Sequence, residues 1–275
     1  PGTALPRRDR QPTGIPQQLA PHRTEKRQTM LKAISSEVTK LLSLRSTWIY
    51  VILFTGSIYG PTTLYMLFND SSRLDGGWPE LLFGGMIFLM IAIIFGASTT
   101  GGDISNHMTA HAFLTQKSRS SWLLARALVA AVFVELNYIL GVALSWAVFN
   151  VFPAGHFTGE GQLLVWGYAV GAPAFAVMAV GIAALLRNRV GAIALPLVWM
   201  LVIEGLLAMG GQKIPFLKTL YHLSPGSRVP DMQSWVVSTD HAGMASPTSG
   251  FIVLIAWMVA LLALGLYSNK TRDVK

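Results

Sequence analysis

The sequence predicts an all-α membrane protein with six transmembrane helices. Of its 275 residues, 52% are hydrophobic and only 12% are charged, whereas soluble domains carry roughly 25% charged residues. Six apolar runs of 19 to 30 residues are each long enough to cross the roughly 30 Å hydrocarbon core of a bilayer as a helix. They cover residues 48–68, 81–100, 123–152, 163–186, 190–209 and 250–268. This pattern excludes a soluble globular protein.

The distribution of basic residues predicts the orientation of these spans. If the N-terminus is cytoplasmic, 17 of the 21 Lys and Arg residues lie in cytoplasmic segments and only four lie outside. Cytoplasmic loops carry an excess of Lys and Arg, so we expect both termini in the cytoplasm. The net charge of +8 therefore reflects membrane topology. No aromatic residues alternate with the basic ones, and we expect no nucleic-acid partner.

The segment before the first span has two parts. Residues 1–29 are rich in Pro, Gln and Arg without apolar periodicity, which predicts a disordered basic cytoplasmic arm. Met30 follows as a candidate natural start, and residues 30–275 are predicted to form a single transmembrane domain. Within residues 30–47, apolar side chains recur on one helical stripe, which predicts an amphipathic helix at the inner membrane surface. This helix either anchors the chain at the interface or docks a partner.

The loop between the second and third spans predicts a short cytoplasmic helix. Residues 104–116 contain neither Pro nor Gly, and Asp103 can cap the first turn. Asp103, His107 and His111 recur every four residues and share one helical face. Two imidazoles at this spacing suit zinc or copper, but no third strong ligand or catalytic Glu accompanies them. A solvated or docking face is therefore favoured over a metal site.

Two acidic residues fall inside predicted spans, Glu135 in the third and Glu204 in the fifth. Burying a carboxylate at that depth costs roughly 2.5–3.5 kcal/mol on insertion scales, so each should face protein or water. They are either part of a conduit or neutral, hydrogen-bonded structural acids. The long outer segment 210–249 is either a lid over an exit path or a structural cap.

The chain lacks the motifs of an enzyme. It contains no cysteine, which excludes disulfides, a thiol nucleophile and iron–sulfur clusters. The sequence contains no G-x-x-x-x-G-K-[ST], G-x-S-x-G or H-E-x-x-H motif, so it has no nucleotide-binding loop or hydrolytic site of a known pattern. We expect no catalytic site and no cofactor in this chain.

Three sets of residues, in this order, resemble the permease subunits of ATP-binding cassette exporters of the type-2 membrane family. The first set opens the chain's interfacial helix: Ala33, Glu37, Lys40, Arg45 and Ser46. The second is an acid followed by two basic positions at the third span: Asp103, Arg119 and Arg126. The third lies at the outer end of the fifth span: Glu204, Pro215, Ser224 and Pro225. The resemblance covers residues 30–275; His107-Met108 and Lys117 depart from the Gly-Thr and Pro usual in the family.

The resemblance implies an exporter subunit in a bacterial inner membrane. In this family the loop helix is the coupling helix, which seats in a separate ATPase subunit, and the interfacial helix touches the same subunit. Two permease chains, identical or related, and two ATPase chains that bind ATP and Mg would move a hydrophobic or amphipathic substrate outward. The implied roles are coupling for Asp103, His107, His111 and Arg119, interfacial contact for Glu37, Lys40 and Arg45, and the conduit for Glu135 and Glu204.

Three other functions stay open. A proton-coupled secondary transporter would use buried acids such as Glu135 and Glu204, although no internal repeat is visible. A membrane-embedded metal enzyme would be built on His107 and His111. A non-transporting membrane scaffold would require none of these residues.

Overall fold

The computed structural model describes residues 22–69, 74–106, 119–241 and 244–271. Within these ranges, six helices are long and apolar enough to cross a membrane. They are α2 (Arg45–Phe68), α4 (Gly85–Ser105), α5 (Arg119–Val151), α6 (Gln162–Leu186), the continuous helix Arg189–Gly211 and α11 (Pro247–Thr271). The predicted all-α architecture with six apolar helices is confirmed.

The continuous helix Arg189–Gly211 has three parts: α7 (Arg189–Val198), a π-helical segment (Trp199–Ile203) and α8 (Glu204–Gly211). Pro196 lies three residues before the π-helical segment and donates no backbone hydrogen bond. Irregular turns in a helix commonly occur near such a residue. The wider π turn changes the direction in which the following side chains point, which matters for Glu204.

The shorter elements lie at the two ends of the bundle. One end, here called the α1 end, contains α1 (His22–Ser43), the last turn of α4 and the first turns of α5. The opposite end, the α9 end, contains α3 (Trp78–Leu81), two short strands, and the helices of the segment 210–249. These are β1 (Leu74–Gly76), β2 (Gly155–Phe157), α9 (Pro215–Leu223) and α10 (Arg228–Val237).

Two features differ from the predicted elements. The helix α1 begins at His22, before the predicted start at residue 30, because residues 22–29 include good helix formers and neither Pro nor Gly. The strands β1 and β2 pair in parallel, with Leu74 opposite Gly155. Strands of three residues are too short to show an alternating pattern, so the sequence did not predict this pairing.

The core of the bundle is centred on α6, which packs against α4, α5 and α11. Beside it, an aromatic cluster joins α2, α4 and α5. Phe54 and Phe88 have ring centroids 4.8 Å apart, and Phe95 stacks on Phe133 at 4.9 Å. In contrast, the helix Arg189–Gly211 and α11 leave most of their apolar surface exposed, as helices in contact with lipid do.

The close contact between α6 and α11 depends on two glycines. A Cβ atom at Gly181 would lie 2.4 Å from the backbone oxygen of Leu261, and one at Gly265 would lie 2.8 Å from the oxygen of Gly181. Both distances are far below a van der Waals contact, and both obstacles are backbone atoms. The spacing of the two helices therefore requires small residues here.

We predict that Gly181→Ala lowers the free energy of unfolding by about 1–3 kcal/mol, because overpacking forces the two helix backbones apart. Gly56→Ala is the matched control, since a Cβ at Gly56 meets no atom within 4 Å. Thermal unfolding of both variants in one detergent is the measurement. Equal melting temperatures for the two variants would contradict the requirement for a small residue at Gly181.

Candidate functional site

Arg126 lies buried at the α1 end, where α1, α4 and α5 meet. Its Nη1 donates to Glu37 Oε2 at 2.6 Å, and its Nη2 donates to Asp103 Oδ2 at 2.9 Å. Lys40 Nζ lies 2.6 Å from the same oxygen of Asp103. Trp122 Nε1 donates to Glu37 Oε1 at 3.0 Å. These five residues are called the Arg126 network below.

The sequence explains why these side chains meet. Glu37 and Lys40 are three residues apart in α1, and Trp122 and Arg126 are four apart in α5, so each pair shares one helical face. Asp103 completes the network from the last turn of α4. Two carboxylates and two cations give a neutral cluster, and buried charges are tolerated when they are paired in this way.

The network contains three of the residues predicted for coupling and interfacial contact: Glu37, Lys40 and Asp103. The other interfacial residue, Arg45, is the first residue of α2 and is exposed. His107, His111 and Lys117 lie outside the described residues, as does the side chain of Arg119. Whether any of these residues contacts an ATPase stays a prediction.

The predicted capping role of Asp103 is wrong. Asp103 lies inside α4, two residues before its end at Ser105, and its carboxylate binds Arg126 and Lys40. The second span was expected to end with its apolar run at residue 100, but its helix continues to Ser105. Trp122 was also missed, although its spacing from Arg126 was a readable signal.

The described residues do not form a metal site. No three His, Asp or Glu side chains come together among them as metal ligands would.

A second polar site surrounds Glu204, the first residue of α8, which is buried. Its Oε1 accepts a short hydrogen bond from Ser224 Oγ and another from the Gly226 backbone N–H at 2.9 Å. Ser224 Oγ in turn accepts from Trp199 Nε1 at 2.9 Å. A Cβ atom at Gly226 would lie 2.2 Å from Glu204 Oε2. The turn after α9 therefore holds the carboxylate in place.

Glu204 also borders a cavity of about 380 Å³ between α6, the helix Arg189–Gly211 and α11. Trp199, Pro225 and Trp257 line the cavity together with Glu204. Trp257 Nε1 donates to the backbone oxygen of Leu223 at 2.8 Å. The remaining lining residues are apolar: Ile93, Phe175, Met178, Ala179, Ile182, Leu185, Leu186, Leu195, Pro196, Met200 and Leu261.

Glu135, the other acid inside a span, is separate from this cavity. Within the described ranges its Oε2 is buried and has no hydrogen-bond partner. The groups that hydrogen-bond to Glu204 come from Ser224 and Gly226, not from Glu135. The two predicted conduit residues therefore do not form one polar pair.

The segment 210–249 is held together by Arg228 in α10, which is only 1% exposed. Its Nη2 donates to Asp231 Oδ2 at 2.7 Å, and Tyr221 Oη donates to Asp231 Oδ1 at 3.2 Å. Burial and the charge of Asp231 raise the pKa of Tyr221 to about 12, so this phenol stays a neutral donor. Val229 and Met232 are buried where α10 packs on α6. This packing favours a structural cap over a mobile lid for α10.

We predict that Arg126→Met destabilises the protein by about 3–5 kcal/mol, because it leaves the carboxylate of Glu37 buried without a cation and that of Asp103 with Lys40 alone. Lys40→Met should cost less, under about 1 kcal/mol, since the Lys40 side chain is 28% exposed. Unfolding of both variants in the same micelles, followed by circular dichroism, is the measurement. Similar losses for the two variants would show that Arg126 does not organise the cluster.

We predict that Glu204→Leu destabilises the protein by about 1–3 kcal/mol, because the Ser224 hydroxyl and the Gly226 N–H lose their acceptor. Glu204→Gln should be closer to wild type, since its amide oxygen can accept both hydrogen bonds. The same unfolding assay distinguishes them. A glutamine variant as unstable as the leucine variant would contradict this account.

Comparisons with known proteins do not identify a family for this chain. No family model matches the chain, and no curated protein matches it.

Proposed function

We propose that the chain is the membrane-spanning permease subunit of an ATP-binding cassette exporter in a bacterial inner membrane. A separate ATPase subunit would bind ATP and Mg, and a second permease chain would complete the transporter. The substrate would be hydrophobic or amphipathic, and it would move outward. Both termini, and with them the α1 end of the bundle, would lie in the cytoplasm.

The observation that carries this proposal is the Arg126 network. It joins α1 to the end of α4 and the start of α5, on either side of residues 107–118, through hydrogen bonds of 2.6 and 2.9 Å from one guanidinium. A force on residues 107–118 or on α1 would therefore act on α4 and α5 together. A rigid joint of this kind suits the transmission of a rigid-body movement from a partner subunit into the membrane helices.

Two further observations support an energy source outside the chain. The sequence contains no nucleotide-binding loop of the G-x-x-x-x-G-K-[ST] type, so ATP-driven transport would require a partner. The cavity beside Glu204 lies among the membrane helices and reaches from Pro225 to Leu185 and Leu186 in the last turn of α6. A substrate site between the membrane helices would be separate from a site of ATP hydrolysis on a partner subunit.

We predict that the tagged chain, purified from its native membrane in mild detergent, brings down a Walker-motif ATPase. The double variant His107→Asp, His111→Asp should lose this ATPase, because negative charge on the predicted coupling face would disturb its docking. The matched control makes the same net charge change of −2 at the α9 end by replacing two exposed lysines, Lys213→Met and Lys218→Met, and should retain the ATPase. Quantitative mass spectrometry of the eluates measures the ratio of the ATPase to the tagged chain.

Two outcomes would overturn the proposal. One is the absence of any ATPase from eluates in several detergents. The other is proton-gradient-driven transport by the chain alone that is abolished by Glu135→Gln. The buried, unpartnered Oε2 of Glu135 is the observation that favours this second function, a proton-coupled carrier, because such an atom can take up a proton without breaking a hydrogen bond.

A further inference from the structure

The helices α8 and α9 pack against each other at the end of the fifth span. The helix Arg189–Gly211 has 23 residues, about 33 Å at 1.5 Å per residue, and therefore just crosses the hydrocarbon core of roughly 30 Å. With the charged Arg189 at one boundary, the other boundary falls near Gly211. A Cβ atom at Gly211 would lie 3.0 Å from Lys218 Cα. Lys218 in α9 therefore lies beside the end of the span, where the hydrocarbon gives way to lipid headgroups.

The helix α9 has no buried residue and carries an exposed apolar stripe. Phe216, Leu220 and Leu223 recur at i, i+4 and i+7 and are 68%, 37% and 54% exposed. Leu217 lies on a different face and packs toward α8, since a Cβ atom at Gly210 would lie 2.5 Å from Leu217 Cδ1. An amphipathic helix with such a stripe beside the end of a membrane span buries the stripe in lipid.

A cleft of about 620 Å³ lies between α8 and α9. Lys213, Lys218 and His222 line it together with the apolar side chains of Leu207 and Ala208. Among the described residues that line the cleft, none is acidic. Both lysines are exposed, and neither forms an ion pair with another described residue. The cleft therefore presents positive charge beside an apolar wall.

One acidic residue lies close to the cleft and is already neutralised. Asp231 Oδ2 lies 3.5 Å from His222 Nδ1 and accepts a hydrogen bond from Arg228 Nη2 at 2.7 Å. Arg228 and Asp231 form a pair without net charge. The charges of Lys213 and Lys218 are therefore left for an external anion.

We propose that the cleft binds an anionic phospholipid, with its phosphate beside Lys213 and Lys218 and its acyl chains along Leu207 and Ala208. Lysine binds phosphate as a point charge, and basic pockets between membrane helices recognise anionic headgroups. A free phosphate ion would leave the apolar wall of the cleft uncovered, and an acidic protein would have to displace lipid from α9. The inference does not depend on the exporter assignment, because it uses none of the residues predicted for coupling or for the conduit.

The test places one fluorescent label in the cleft, which is possible because the chain contains no cysteine. Gln212 is exposed and lines the cleft, and Gln212→Cys in the full chain is labelled with bimane. The protein is held in phosphatidylcholine nanodiscs that contain a small fraction of phosphatidylglycerol or of phosphatidylcholine, each with the same doxyl quencher on an acyl chain. Quenching measures which lipid lies at the label. We expect the anionic lipid to be enriched there by at least about fivefold over the zwitterionic lipid.

Three double variants of the labelled chain locate the site. Lys213→Met with Lys218→Met removes both charges and should bring the two lipids within about twofold of each other. Lys213→Arg with Lys218→Arg keeps the charges and should keep the preference for the anionic lipid. The matched control, Lys32→Met with Arg45→Met, removes two exposed charges at the α1 end and should also keep the preference.

Three results would overturn the lipid site. The first is equal quenching by the two lipids in the labelled chain without further substitution, and the second is a preference that the methionine pair retains. The third is reversal of the quenching by excess inorganic phosphate, which would indicate a site for a free anion. Because the pair Lys213→Met and Lys218→Met is also the control for ATPase recovery, its two measurements test the lipid site and the exporter assignment separately.

Discussion

Burial of the Arg126 guanidinium is the constraint on which the α1 end depends. A guanidinium remains charged in proteins, so its place among apolar helices is tolerated only if carboxylates are brought to it. Those carboxylates come from two other helices, Glu37 in α1 and Asp103 in α4. Among the described side chains of α1, Ala33 and Leu41 are the buried apolar ones and Ile34 is partly buried, so they cover little area. Charge pairing, more than apolar burial, therefore holds α1 in place.

The carboxylate of Glu204, toward the opposite end of the bundle, is held by hydrogen bonds, whereas the carboxylates of the Arg126 network are held by ion pairs. Glu204 receives two hydrogen bonds from the turn after α9 and directly follows the π-helical segment. Between the ends, α4 and α6 pack closely, and a Cβ at Gly96 would lie 2.4 Å from the backbone oxygen of Ala176. Under the proposed function, this tight core would carry a movement of the Arg126 network toward the cavity as displacement of whole helices, not as side-chain rearrangement.

The sequence predicted the spans well because the length of an apolar run relates directly to the thickness of a bilayer. It also singled out Glu37, Lys40, Asp103 and Glu204, which the structure places in two polar clusters. It did not predict which partners they meet, since Asp103 and Arg126 are joined only once α4 and α5 are packed side by side. The β1–β2 pairing and the cavity beside Glu204 were missed for the same reason. Each is formed by segments distant in the chain, and no local pattern encodes their proximity.

Glu204 costs more free energy to bury than its two hydrogen bonds require. Both of its hydrogen bonds are accepted by Oε1, and the amide oxygen of a glutamine would accept them at a smaller desolvation cost. Within the described part of the chain, no ion pair to Glu204 offsets that cost, whereas the carboxylates of the Arg126 network each bind a cation. What a carboxylate adds over an amide is the ability to lose and take up a proton, and the two hydrogen bonds to Oε1 do not require it. The structural role of Glu204 therefore does not by itself account for an acid at this position.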